Sequence, residues 1–159
     1  MPLHPLVVHF PIALLFVAAI IEVVNVFVKK ETLNKFGTLL MIIGIVTGVG
    51  SYLSGENAEH FAKNAWGKSV HETIELHEFY AGLSLLVFFI LLLLKLIFKH
   101  SILKEIKWSK GAIIKGVSSI LIVLLCIFGI TALIITGHLG GKVVYNQPSQ
   151  SIEVNFQNE

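Results

Sequence analysis

Six of the seven histidines in this 159-residue chain gather at one end of four apolar segments. The segments run over about residues 5–28, 36–53, 79–98 and 112–137. His4 and His9 open the first, His60 follows the second, His71 and His77 precede the third, and His138 closes the fourth. If all four cross a bilayer, the even number of crossings returns these imidazoles to one face. Neutral imidazole ligates zinc, copper and haem iron, and it shuttles protons near neutral pH. The arrangement points to a metal or haem site at one water–lipid boundary.

Two histidines on different helices, facing inward at similar depth, are what a bis-histidine haem requires. His9 and His77 suit the axial positions, with His138 or His4 as a further ligand or hydrogen-bonding neighbour. The competing use is a copper or zinc ion held by His60, His71, Glu56 and Glu75. Taken singly, each of these residues is also an ordinary interfacial side chain, so the weight lies in their number on one face. The segment His71-Glu72-Thr73-Ile74-Glu75 is not the HExxH of zinc hydrolases, because its fifth position is glutamate. The paired E-x-x-H of di-iron bundles is also missing. With no aspartate in the chain, a Ser–His–Asp triad is excluded. The single cysteine, Cys126, excludes both a CxxCH attachment site and a cysteine-built zinc or iron–sulfur centre. Any haem would be haem b, with no covalent link.

The elements that must position these groups follow from composition. Hydrophobic residues make up 55% of the chain, charged residues only 14%, and the mean hydropathy is +0.81. Leu83–Leu94 and Gly116–Thr136 carry no charge. About 20 apolar residues span hydrocarbon as a helix, and lipid leaves the backbone no other partner than itself. The expected fold is all-α: a four-helix transmembrane bundle, up-down-up-down, over residues 1–145, with a helical outer loop at 54–78. A polar C-terminal tail, 146–159, with weak strand-like alternation, follows it. Nine of the twelve lysines lie in or beside the first and third loops, and there is no arginine. Basic loops stay in the cytoplasm, so both termini and the histidine face should be on the outer, periplasmic side of a bacterial inner membrane. The N-terminus has no basic n-region or small-residue cleavage site, so the first span is expected to be retained. Topology and anionic lipid account for the lysines without a nucleic-acid partner.

Pro5 and Pro11 allow two starts for the first helix. It begins near Pro11 behind an extended arm, or near Pro5 with a kink. Glu22 should face the bundle, paired with Lys115 or Lys29, in a structural or a proton-handling role. Gly44 and Gly48 form a small-xxx-small pair that permits close helix approach or makes room for a flat cofactor. Glu56 with His60, and Glu59 with Lys63, are spaced for a short outer helix, and Gly67 interrupts it. Ser69 and Glu72 have capping-box spacing for a helix starting near Val70. Gly137, Gly140 and Gly141 read as a C-cap after the last span.

The opening Leu3-His4-Pro5-Leu6-Val7-Val8-His9-Phe10-Pro11-Ile12-Ala13-Leu14 resembles the start of the bacterial domain of unknown function 2231 family of four-span membrane proteins. Thr47-Gly48, Ile74-Glu75-x-His77-Glu78, Gly137-His138-Leu139-Gly140-Gly141 and Val144-Tyr145 extend the resemblance over almost the whole chain. It implies that His4, His9, His77 and His138 belong to the recurring motif, while His60 and His71 fall outside it. Some members are fused to c-type cytochrome or Rieske-like domains, which suits electron transfer. The expected function is a membrane redox subunit binding one b-type haem near the outer face. It would pass electrons between quinol and a periplasmic carrier or larger respiratory complex. The alternative is a non-enzymatic copper- or zinc-binding, or purely structural, accessory membrane protein. A transporter is disfavoured, since only Glu22 and Asn25 are polar deep in the spans and no inverted repeat is evident.

Overall fold

A computed structural model describes residues 4–66, 70–100 and 108–145, and every element in it is helical. The elements are α1 (His4–Val7), α2 (His9–Val28), α3 (Glu31–Trp66), α4 (His71–His100) and α5 (Trp108–Tyr145). Four of them are long and apolar enough to cross a membrane: α2, and the stretches Glu31–His60, His71–Ile97 and Gly116–Tyr145. At 1.5 Å per residue, α3 and α5 are each over about 50 Å long, well beyond the ~30 Å of hydrocarbon. The tail, Gly67 and Ser69 lie outside the described residues.

The four long helices form a ring. α2 packs on α3 and α5, and α4 packs on α5 and α3, leaving α2 and α4 on a diagonal. A two-residue turn joins α2 to α3. Lys29 adopts the left-handed conformation there (φ 56°), and its N–H donates to the Asn25 carbonyl at 2.9 Å. The Asn25 side chain accepts the next amide, Lys30, also at 2.9 Å. Asn25 is therefore the helix terminator, using both its backbone and side-chain oxygens.

Glycines set the antiparallel register of the ring. A Cβ at Gly44 would lie 2.7 Å from Leu15 Cδ2, and one at Gly48 would lie 2.6 Å from Leu85 Cδ2. Gly44 serves close packing, and Gly48 both packs against Leu85 and lines the cavity described below. On the other side, a Cβ at Gly129 would lie 3.0 Å from Phe88 Cε2. Leu15, Met41, Phe88, Leu91 and Cys126 fill the centre and are fully buried. Large apolar residues such as Phe27, Val46 and Ile120 point outward, as lipid requires. Hydroxyls within the spans bond the preceding turn: Thr47 to Ile43, Thr131 to Ile127, and Thr136 to Ala132.

Glu22 does face the bundle, and its partner among the described side chains is Lys95, from the diagonally opposed α4; the Lys115 side chain lies outside the described residues. Lys29 is exposed in the turn. Lys95 follows a run of leucines and stands beside a lysine-rich loop, so sequence assigns it to that loop. In the fold it is only 8% exposed, and Glu22 only 3%. Lys95 Nζ also lies 3.5 Å from the Asn34 carbonyl. Gly37 leaves the space that the Glu22 carboxylate fills.

One open alternative is resolved, and two other expectations change. The first helix takes the second of its two starts, beginning at His4 with a break at Val8, because Pro11 offers no N–H to the Val7 carbonyl. The outer segment at 54–66 is not a separate short helix; it continues α3 without interruption. Gly137, Gly140 and Gly141 do not end the last helix, which runs on to Tyr145. The expected helix near Val70 is present as α4.

Removing one charge strands the other where water cannot reach it. Lys95→Met should destabilise the detergent-solubilised protein by about 3–5 kcal/mol. The double variant Glu22→Gln/Lys95→Met should recover most of that loss. Denaturation of the single and double variants measures both, and equal destabilisation would remove the pair's role.

Candidate functional site

The histidine end of the ring encloses a cavity of about 430 Å3. Its floor is apolar, built from Leu15, Leu85 and Leu133, and its upper wall carries His4, His9, His77, Tyr52, Glu59 and Glu78. Both ends of the described chain meet here, since α1 and the end of α5 line the same space.

Two rings in the cavity face each other from different helices. The centroids of His4 and His77 are 6.3 Å apart, with planes at 85°. The hydrogen bonds around them determine which nitrogen of each carries the proton. His77 Nδ1 lies 2.9 Å from the Thr136 carbonyl oxygen, which can only accept, so Nδ1–H donates. His4 Nδ1 lies 2.9 Å from Ser54 Oγ. The Ser54 hydroxyl has a single proton, which it donates to the Ser51 carbonyl at 2.7 Å. Ser54 Oγ must therefore accept from His4 Nδ1–H. In both rings Nε2 is left as the unprotonated nitrogen. Backbone or hydroxyl acceptors that hold Nδ1–H in this way are the usual second layer around a ligating histidine.

Local packing explains why the rings sit where they do. A Cβ on Gly140 would come within 3.0 Å of His77 Cε1 and 3.3 Å of its Nδ1. Gly140 thus admits the ring against α5, close enough to reach the Thr136 carbonyl one turn earlier. A Cβ on Gly55 would lie 3.5 Å from His4 Cε1, an ordinary contact. Burial lowers the pKa of His4 below its usual 6.5, the neighbouring His77 lowers it further, and the Ser51 carbonyl partly offsets both.

The other sequence candidates separate. His9 lines the cavity from an exposed position in the first turn of α2, so the ring beside His77 is that of His4. His138 is exposed on α5 and is not part of the cavity wall. His71 pairs with Glu75 at 3.2 Å along the exposed face of α4, and His60 is exposed on α3. The Glu56 side chain lies outside the described residues. Among the described residues no three His, Cys, Asp or Glu side chains gather around one point as a metal-ion site would need. Sequence reasoning did not single out Ser54 or Thr136, the two groups that orient the rings. The i,i+3 spacing of Ser51 and Ser54 opposite His4 was the available signal for the first. Nothing local marks a backbone acceptor such as Thr136.

Four apolar helices around a cavity with a polar rim define a multi-pass, α-helical integral membrane protein. The sequence profile of the DUF2231 family, described as predicted membrane proteins, matches residues 1–150. The chain belongs to that family. Comparison with curated proteins and with solved structures finds no match.

Gly140→Ala should push the His77 ring off the Thr136 carbonyl and destabilise the fold by about 1–3 kcal/mol. Gly137, whose Cβ would meet nothing within 4 Å, is the control. Gly137→Ala should be neutral or slightly stabilising, as expected for helical Gly→Ala. Thermal unfolding of the two variants in one detergent distinguishes them.

In cofactor-free protein the His4 imidazole should titrate below 6.5 by NMR. Because the folded value is depressed, the stability that His4 docking contributes is full above 6.5. It is lost as pH falls through the folded value. A titration at or above 6.5 would show that the ring is not buried against α3.

Proposed function

We propose that this protein is an electron-transfer subunit of the bacterial inner membrane, with one b-type haem in the outer-end cavity. His4 and His77 are its axial ligands, and electrons pass between quinol in the bilayer and a periplasmic acceptor. The observation that carries this reading is the imidazole pair with both Nδ1–H groups anchored and both Nε2 nitrogens unprotonated. The two rings meet in a T-shaped contact with centroids 6.3 Å apart, close enough to serve one bound group.

The number of ligands also favours haem over a bare ion. A closed zinc site takes four protein ligands, whereas a porphyrin supplies its own four nitrogens and asks the protein for two. The cavity walls are apolar below and built largely of small residues above, including Gly48, Ala58, Ala62 and Ala81. Its volume is within the ~300–1,000 Å3 usual for cofactor and ligand sites. Haem supplies a reversible one-electron couple, and the chain supplies the two imidazoles and a low-dielectric floor. His9 and Glu78 stand at the rim, where protons released on quinol oxidation could be taken up. Orientation follows from the lysines: the turn between α2 and α3 carries Lys29 and Lys30 at the end opposite the cavity. Basic loops tend to remain cytoplasmic, which supports a periplasmic cavity.

Protein purified from a haem-replete host should give a pyridine haemochrome spectrum of haem b near one per chain. His77→Ala should lose the haem, and His71→Ala should retain it. One copper or zinc per chain without porphyrin absorbance would replace this reading with the metal-ion alternative.

A further inference from the structure

We propose that the outer-end cavity binds a membrane-soluble hydroquinone through its hydroxyl groups, and prefers it to the corresponding quinone. The inference takes from the reading above only that a quinol meets this protein, and no residue or step in it involves haem.

The polar groups of the cavity wall are arranged as acceptors. Ser84 of α4 and Thr136 of α5 both line it and are buried. Each hydroxyl has one proton and spends it on its own helix. Ser84 donates to the Ala81 carbonyl and Thr136 to the Ala132 carbonyl, both at 2.8 Å. What each oxygen keeps is lone pairs. The imidazoles repeat the pattern: Nδ1–H is given to Ser54 by His4 and to the Thr136 carbonyl by His77, so the unprotonated Nε2 of each ring can only accept. The carboxylates of Glu59 and Glu78 stand at the rim, and no lysine is among the described residues lining the space. An occupant must bring its own donors and carry no negative charge.

Depth and shape add a second constraint. The floor residues Leu15, Leu85 and Leu133 belong to the apolar spans of α2, α4 and α5, so an occupant that reaches them must be soluble in hydrocarbon. Gly48, Ala81, Gly137 and Gly140 keep the walls low, which suits a flat ring. Tyr52 lines the cavity from the seam between α3 and α4, yet it is 39% exposed. Its ring lies over Gly82, where a Cβ would stand 3.6 Å from Tyr52 Cε2 and 3.7 Å from its hydroxyl. The seam beside Tyr52 thus connects the cavity with the outer surface of the bundle.

A para-hydroquinone with an alkyl tail answers each constraint. It is neutral, flat and soluble in the bilayer, and it carries hydroxyl donors on opposite edges. Its oxidised form has carbonyl oxygens in their place, so Ser84, Thr136 and the imidazoles gain no partner from it. The Tyr52 phenol can donate to a quinone carbonyl, which limits the preference without reversing it. Binding makes and breaks no covalent bond.

The test titrates the full-length protein in nonionic detergent, without oxygen, by isothermal titration calorimetry. The probes are a decyl-tailed benzohydroquinone and the matching benzoquinone, and pyridine haemochrome records the haem content of the same sample. The hydroquinone should bind roughly tenfold more tightly, the worth of one well-made hydrogen bond. Thr136→Val keeps the side-chain shape and the carbonyl that holds His77 while removing the hydroxyl acceptor. It should cut hydroquinone affinity several-fold and leave the quinone unchanged, and Ser84→Ala should do the same from α4. Equal affinity for the two forms, binding of neither, or a hydroquinone affinity that both variants leave untouched overturns the inference. Haem without the preference sinks this inference alone, and the preference without haem sinks the haem reading alone.

Discussion

A carboxylate and an ammonium buried in hydrocarbon must find each other, and that demand organises the whole bundle. A lone charge costs about 2.5–3.5 kcal/mol at the centre of a span on an insertion scale, and less toward the end where Glu22 and Lys95 lie. Together they close a contact between α2 and α4, the two helices that do not otherwise pack closely. The pair draws that diagonal together at one end of the ring, and Gly37 on α3 yields the room it needs. With those residues level, antiparallel geometry dictates the rest. Leu15 meets Gly44 two turns further along, and Leu85 meets Gly48 one turn beyond. A one-residue slip along either helix would rotate a charge toward lipid, so register is strongly specified despite helices that are apolar on every side.

The two ends of the bundle consequently differ in kind. At the Glu22–Lys95 end the diagonal is tied and the axis is filled, up through Met41, Phe88 and Leu91. At the other end the side chains facing the axis become small or polar. Gly48, Ser51, Gly55, Ala58 and Ala62 line one wall, and Gly137, Gly140 and Gly141 line another. The space they leave is the cavity. Its imidazoles are oriented by acceptors already engaged in helices: the Thr136 carbonyl of α5, and the Ser51 carbonyl of α3 through the Ser54 hydroxyl. Such acceptors move only if their helices move, which makes the tautomers of His4 and His77 consequences of the fold.

What could be read from residues alone, and what could not, divides along the same physical line. Lipid permits few backbone solutions, so uncharged runs such as Gly116–Thr136 had to be helical, and their even number had to bring the histidines to one end. Facing relations between helices have no local signature. Lys95 looks like a loop residue because leucines precede it and lysines follow it, and only the position of Glu22 one helix-diagonal away reveals its role. Gly137-x-x-Gly140-Gly141 looks like a helix terminator because positive φ is the common reason for such glycines. Here Gly140 serves a long-range approach instead, and the helix continues. Sequence favours His9 over His4 because His9 stands on the first span itself, facing His77 at the top of the third. The helical turn of α1 brings the preceding arm back over α3, and so puts His4 against Ser54.

The asymmetry between the two imidazoles follows from chain connectivity. A ring ligand taken from the interior of a long helix inherits the stiffness of two helix–helix interfaces, whereas one taken from a terminal segment inherits only what that segment buries. α1 has four residues and an exposed Leu6, and the break beside it arises because proline cannot donate. Position 11 cannot simply be relieved of its proline without consequence, because Pro11 is itself buried and lies 3.6 Å from where a Cβ on Gly48 would stand. The residue that interrupts the helix at Val8 is thus also a packing element of the α2–α3 interface. The break at Val8 and the tightness at Gly48 have one cause, a ring that fills space while withholding an amide.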